Sequence, residues 1–224
     1  MVHELPIGEL TVAISRIQGL LLTQEKVDDA VHLLARAIKD SMPGTIGAGV
    51  SLLESRGRRT SSGYTDSMVK QADDAQYSTG QGPCLTAWAA EETVLVDDLA
   101  ADLRWPEWRA AVTHLPIRSV VSAPLIAGKE CIGAVKAYAA LPHAYDSSSQ
   151  KLLELFAGPA ATLLSHIQAS EAPHRMSEML QASLHNRDLV NRACGILMER
   201  HGISHEAALQ DLMRQALGRK TTLR

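Results

Sequence analysis

Residues 120–138, VVSAPLIAGKECIGAVKAY, hold two β-prone runs, Val120–Ile126 and Cys131–Tyr138, on either side of Ala127-Gly128-Lys129-Glu130. Runs of this length flanking a short glycine-containing turn read as two paired strands. Upstream, Thr93–Val96 is a short β-branched run. Ile46–Leu53 and Arg58–Thr65 form a further hairpin across Ser55-Arg56-Gly57. Helical spacing fills the intervals. The helix at Val27–Lys39 turns Val27, Ala30, Val31, Leu34 and Ile38 inward and stops at Met42-Pro43-Gly44, because proline cannot continue the ladder. Two more helices cover Asp66–Gln76 and Cys84–Glu91, separated by Gly80-Gln81-Gly82-Pro83. Another runs from Pro106, tolerated in a first turn, to about His114. One antiparallel sheet with helices on its faces is an α+β fold.

Outside this region the spacing is helical only. Residues 9–22 place Leu10, Ile14, Ile17 and Leu21 on one stripe. Residues 146–171 do the same with Leu152, Leu155, Phe156, Ala160, Leu163 and Ile167, behind a cap at Asp146 or Ser147. Pro159 is expected to kink this helix and Pro173 to end or bend it. Residues 176–218 carry two patterns. Leu180, Leu184, Val190, Ala193, Leu197 and Met198 belong to the first, and Ala208, Leu212 and Ala216 to the second. Gly202 is the expected stop between them and Ser204 the cap. The stripes at 9–22 and 146–167 suit either a dimer seam or packing on their own sheet.

The chain has 224 residues, 46% hydrophobic and 21% charged, which suits a soluble core-forming protein. One Phe, four Tyr and three Trp are too few for a platform that stacks single-stranded bases. No run approaches the roughly 20 apolar residues of a membrane span. The start, MVHELPIGEL, lacks the layout of a signal peptide. Three scattered cysteines make no disulfide framework. The expectation is a cytoplasmic protein with free thiols. Charge is uneven. Residues 174–224 carry eight Lys/Arg against five acids, a net of +3, which leaves −6 on the remainder of a chain whose total is −3. A basic end on an acidic body suits an anionic partner, although a solvated helix surface gives the same composition.

Few residues suggest chemistry. Cys84 opens a helix behind two glycines and a proline, a place that favours a thiolate, so it is either a redox sensor or nucleophile or a small buried hydrophobe. Trp88 and Trp105 either wall a pocket or pack helices on the sheet. Asp97 and Asp98 point to opposite sides as neighbours leaving a strand, which disfavours a shared proton and favours a turn role. His201 and His205 stand four apart, but Gly202 and Ser204 break the helix between them, so no metal site is expected. No catalytic residue is expected.

Two segments resemble known families. Gln76-Tyr77, Gly80-Gln81-Gly82-Pro83-Cys84-Leu85, Val96-Asp97-Asp98-Leu99, Arg104-Trp105-Pro106, Arg118-Ser119-Val120, Ala123-Pro124-Leu125 and Ile132-Gly133-Ala134 resemble, in order and spacing, a GAF domain of the kind common in actinobacterial regulators. Val190-Asn191-Arg192-Ala193-Cys194-Gly195-Ile196-Leu197-Met198-Glu199-Arg200, followed by Ser204, Glu206-Ala207 and Leu212, resembles an ANTAR RNA-binding domain. The chain departs from that family at Cys194, where a polar residue is usual, and stops at Thr221-Thr222-Leu223-Arg224, where a third helix would begin. The implied organisation is an N-terminal helix (1–24), a GAF sensory domain with a connecting helix (25–170), and an ANTAR-like helical module lacking its third helix (174–224).

The implied function is a sensor-controlled transcription antitermination regulator that binds hairpin loops of nascent RNA. An unidentified small ligand would meet Tyr64, Cys84, Trp88 and Trp105. Arg192, Arg200, Arg214, Arg219 and Lys220 would contact phosphates. Ala193, Gly195 and Ala207 would let helices pack closely, so that Gly195→Leu overpacks them. The chain would act as a homodimer away from membranes, with no cofactor identified. The cyclic-nucleotide and bilin subsets of the family carry motifs that Val135-Lys136 and Cys84-Leu85 do not match. Two other readings stay open: a thiol enzyme like the GAF-type methionine sulfoxide reductases, using Cys84 and Cys131, or a helix-turn-helix DNA-binding regulator.

Overall fold

The hairpin that opens the sequence reading is the centre of the sheet. In the computed structural model, which describes residues 27–54 and 59–218, β4 (Ser119–Ala127) pairs antiparallel with β5 (Glu130–Ala139) from Ser119↔Ala139 to Ala127↔Glu130. β1 (Thr45–Leu53) lies antiparallel on the other side of β5, β2 (Arg59–Tyr64) beyond it, and β3 (Val94–Val96) along β4. The order is β2-β1-β5-β4-β3. The segments Ser55-Arg56-Gly57 and 9–22, with the expected 1–24 helix, lie outside the described residues, as do Arg219 and Lys220.

Because β5 has a strand on each side and helices on both faces, its residues from Gly133 to Ala139 are all buried. The pleat divides them. Val135, Ala137 and Ala139 join Ala48, Val50 and Leu52 of β1 and Val121, Ala123 and Leu125 of β4 in one apolar cluster. Two helices cover this face. α1 (Val27–Ser41) contributes Val27, Ala30, Val31, Leu34, Ala35 and Ile38, and the start of α5 (Ser147–His201) contributes Leu152, Leu153, Phe156, Ala160 and Leu164. The 146–167 stripe is therefore spent on its own subunit's core, apart from Leu155, which stays 47% exposed.

The other face carries Lys136 and Tyr138 of β5, Val120 and Ser122 of β4, and the glycines and Ser51 of β1. It is covered by α2 (Ser67–Thr79), α3 (Pro83–Ala90) and α4 (Pro106–Val112). Local chemistry sets these helices. Asp66 caps α2 by accepting from the Met68 and Val69 amides at 3.0 and 3.2 Å, and Gly80 ends it at φ +69°. Pro83 and Pro106 open α3 and α4.

α5 corrects an expectation. Asp146 caps it as anticipated, accepting from the Ser148 and Ser149 amides at 3.0 and 2.9 Å. Yet the helix runs through Pro159 and on through Pro173, which does not end it. A proline forfeits only its own backbone donor, leaving the surrounding ladder to continue. Around Pro159 the buried Phe156, Ala157, Ala160 and Ala161 supply burial that offsets the roughly 3 kcal/mol penalty. The helix ends at His201, where the Gly202 amide donates to the Met198 carbonyl at 2.9 Å with φ +62°. Ser204 then caps α6 (His205–Gly218) through the Ala207 amide at 3.2 Å. The chain divides into two units, residues 1–169 and 170–224.

Gly63 of β2 has α1 directly above it, and a Cβ there would sit inside the Val31 carbonyl and the His32 amide nitrogen. Gly63→Ala therefore must lift α1 from the sheet. The expected loss is about 3 kcal/mol or more, the upper range for overpacking, visible as a lower midpoint in urea unfolding followed by circular dichroism.

Candidate sensory core and RNA-contacting helices

On the helix-covered face between β1, β5 and β4, the sequence places small residues around one long cation. Lys136 stands opposite Gly49 on β1 and Ser122 on β4. A Cβ on Gly49 would meet Lys136 Cε at 2.5 Å, so the glycine makes the room in which the lysine side chain lies. Lys136 and Asp73 of α2 have side chains 0% and 1% exposed, with Nζ 2.5 Å from Oδ2. The ammonium also donates to Ser51 Oγ at 2.5 Å, and Ser51 donates to Asp73 Oδ2 at 3.1 Å.

The network extends along the face. Tyr138 donates to Asp73 Oδ1 and Gln76 Nε2 donates to the Tyr138 hydroxyl, each at 3.4 Å. The other end of the Gln76 amide accepts from the Cys84 backbone at 2.8 Å, and Ser122 Oγ lies 3.4 Å from Cys84 Sγ. Gly82, at φ +144°, leaves space for Gln76, which a Cβ would overlap. One chain of contacts thus ties α2 and the start of α3 to three strands.

Burial works against a charged Lys136, but the Asp73 carboxylate outweighs it and raises the lysine above its ordinary range. Burial raises Cys84, with Lys136 pulling only partly the other way. Of the two readings of Cys84, a reactive thiol or a small buried hydrophobe, the structure gives the buried one: the thiol is fully enclosed, and desolvation dominates at the end of an eight-residue helix. Cys131 is half-buried and also raised, mainly by burial.

These two thiols are not bonded to each other. All three cysteines are free.

The expected ligand residues divide. Trp105 is buried, donates through Nε1 to Thr86 Oγ1 at 2.9 Å, meets Trp108 edge-on at 6.2 Å, and carries the Arg104 guanidinium 4.4 Å over its ring. Tyr64 packs against the same apolar cluster and meets the His32 ring edge-on at 5.2 Å. Cys84 borders this cluster through Gln76 and Tyr138. Trp88 stands apart, donating to the Cys131 carbonyl at 3.0 Å. Asp98 accepts from the Ala100 amide and the Arg118 guanidinium, a turn role, while the Asp97 carbonyl accepts from His143. Among the described residues no group of three His, Cys, Asp or Glu is placed to hold a metal ion.

In the second unit, Cys194 and Ala208 are the fully buried positions among the described residues. Ala193 and Ala207 are half-buried, whereas Gly195 is exposed and a Cβ there meets nothing within 4 Å. The overpacking expected of Gly195→Leu has no neighbour within this chain to act on. Arg192, Ile196 and Arg200 recur every fourth residue, so they form one exposed row on α5. Ile196 is 54% exposed. Arg214 on α6 is exposed beside Asp211, 3.8 Å away.

The family model of the GAF domain matches residues 24–165, 142 of the 224 positions. The chain belongs to the GAF domain family. Residues 178–224 match the ANTAR domain. GAF followed by ANTAR is the domain content of a sensor-regulated RNA-binding regulator. Among solved structures, the GAF domain of a phosphoenolpyruvate-protein phosphotransferase from Coxiella burnetii superposes with a TM-score of 0.55 at 11% identity, over 75% of this chain and 99% of that one. The corresponding Acinetobacter domain gives 0.54 at 13% identity, over 73% and 97%. The free methionine-R-sulfoxide reductase of Neisseria meningitidis, solved with its substrate, gives 0.53 at 18%, over 72% and 91%. At these identities the likeness establishes the fold. Among curated proteins no sequence matches the chain.

No helix among the described residues of this GAF protein is long and apolar enough to cross a membrane. The sequence reading missed the Lys136–Asp73 pair. Its signal was present: a lysine between Val135 and Ala137 in a strand read as apolar, with Gly47 and Gly49 in the strand that pairs beside it.

Asp73→Ala leaves the Lys136 ammonium buried and unpaired, and should cost about 3–5 kcal/mol in urea unfolding. The double variant Asp73→Leu/Lys136→Met should recover most of that loss. Because the folded lysine titrates above its unfolded value, the pair's contribution is complete below about pH 10 and declines as pH rises beyond it. Alkylation of the native chain near pH 7.5, read by mass spectrometry, should label Cys131 before Cys84 and Cys194.

Proposed function

We propose that this chain is a signal-responsive transcription regulator in which the GAF domain governs an ANTAR module that binds hairpin loops of nascent RNA and acts by antitermination. The single observation that carries the reading is the exposed cationic row of α5, Arg192 and Arg200, with Arg214 also exposed on α6, in a chain that carries a sensory fold. Neither Arg192 nor Arg200 has an ion-pair partner among the described residues. Such cations hold phosphates without reading sequence, and unpaired loop bases then supply specificity. Arg219 and Lys220 extend the proposed contact set. Ala193 and Ala207, both half-buried, keep the helix pair slender beside it.

The signal enters at the α2–α3–α4 layer. A small ligand meeting Tyr64, Cys84 and Trp105, with Trp88 at the margin, competes with the Trp105–Thr86 bond and the Gln76 contacts that hold the layer closed. A ligand that prefers the loosened arrangement shifts the population toward it. The regulator works in the cytoplasm as a homodimer. A thiol enzyme is the weaker reading, since Cys84 is fully buried and its thiol is pushed up by that burial.

Full-length protein titrated into a labelled RNA hairpin, with anisotropy as readout, tests the assignment. Binding should weaken steeply with salt. Arg192→Ala/Arg200→Ala should lower the slope of log affinity against log salt by about 1.4, two phosphate contacts at roughly 0.7 each. An unchanged slope rejects these arginines as RNA contacts.

A further inference from the structure

We propose that an acidic groove on the GAF domain docks the arginine-bearing face of the ANTAR helices of a second copy, so that the sensor of one molecule shields the RNA-contacting surface of another. The groove encloses about 430 Å³ between the end of α3, β4 and α5. Pro124, Ile126, Ala157, Gly158 and Thr93 line it together with the three acids Glu91, Glu92 and Glu154. Ile126 is 40% exposed, and all three carboxylates face solvent. None of the three has an ion-pair partner among the described residues.

Local physics opposes acids at this place. Glu91 caps α3 at φ +56° and ψ +28°, a left-handed conformation that suits glycine or asparagine. Both Glu91 and Glu92 follow directly on the negative end of the α3 dipole, where cations are favoured. Carboxylates held against both preferences gain from a cationic occupant that the groove itself lacks.

The other end of the chain has the complementary surface. Arg192 and Arg200 flank the exposed Ile196 on α5, and Arg214 adjoins Met213, itself 50% exposed. Exposed apolar side chains next to cations complement a groove lined by apolar side chains and acids. The same opposition holds for the whole molecule, with −6 on residues 1–173 and +3 on 174–224. Exchange between two copies is reciprocal, each groove receiving the other's helices, and such an arrangement closes as a two-fold dimer. Exposed charge pairs of this kind weaken with salt.

The inference rests on the reading that these arginines contact RNA, but docking is measured without RNA. Two full-length variants, both in a Cys131→Ser background, are mixed: tagged Glu154→Cys and untagged Arg200→Cys. A short bismaleimide should link tagged to untagged chains at low salt and far less at 0.5 M salt (about a 4 Å screening length). Absence of mixed links, or their equal yield at high salt, overturns the docking.

Shielding is read separately. Glu91→Gln/Glu92→Gln/Glu154→Gln should bind the RNA hairpin about tenfold more tightly than the unmodified chain at low salt, the size expected when three exposed charge pairs are lost. Glu91→Gly should give part of that gain while raising the thermal midpoint, since it relieves the left-handed backbone. Unchanged affinity in the triple variant overturns the shielding. Mixed links with no RNA binding by any variant would instead keep the docking and reject the RNA reading.

Discussion

A lysine inside a sheet organises one half of this molecule. Lys136 is sealed from water, and its charge is tolerable only because Asp73 arrives from α2 and Ser51 from β1 to meet it. That requirement fixes much else. β1 must be glycine at position 49 to leave room for the side chain. α2 must be held at the height where its carboxylate reaches the sheet, which the Asp66 cap and the Trp108 bond to the Ala72 carbonyl secure. Gln76, one turn later on α2, then carries the network to α3 through the Cys84 amide. The opposite face has no such condition and is filled by hydrophobic side chains, mostly aliphatic with Phe156 and Tyr145 among them.

A buried ion pair is a poor source of net stability and a good source of uniqueness. Aliphatic side chains on this face would let α2 and α3 settle in several registers. A carboxylate that must reach one ammonium permits one. The covering layer of the sensor is therefore held by polar contacts of defined geometry, and polar contacts are the kind a polar ligand is able to exchange. In the C-terminal unit the arrangement is inverted. Among the described residues of that unit Cys194 and Ala208 are buried, while Arg192, Arg200, Ile196 and Met213 lie exposed.

The sheet and its helices were legible because hydrophobic period and turn chemistry agreed. Gly128 sits in the hairpin turn with φ +67°, Pro83 and Pro106 open helices, and Gly202 closes one. Pro173 misled because a proline in sequence announces a break that an established helix is able to absorb. Cys84 was legible as a helix start with two outcomes, a reactive thiol or a small buried hydrophobe, and Ser122, Gln76 and Tyr138, distant in sequence, bury it. Lys136 was visible and unexplained, and only the fold brings Asp73 to it from 63 residues away. The exposed face of Gly195 was hidden for the same reason: small residues announce close packing without saying which partner approaches.

The alternation along β5 has a consequence for how such a chain can diverge. Its even positions serve the polar network and its odd positions the aliphatic face, so a single inserted residue within 133–139 would exchange the two populations, sending the ammonium among leucines. Length variation in this strand is confined to steps of two or to the bulge near Leu125/Ile126, where the ladder already changes step. Among relatives sharing this pair, the loop at 127–130 is where insertions and deletions should accumulate, and the strand behind it should keep its length.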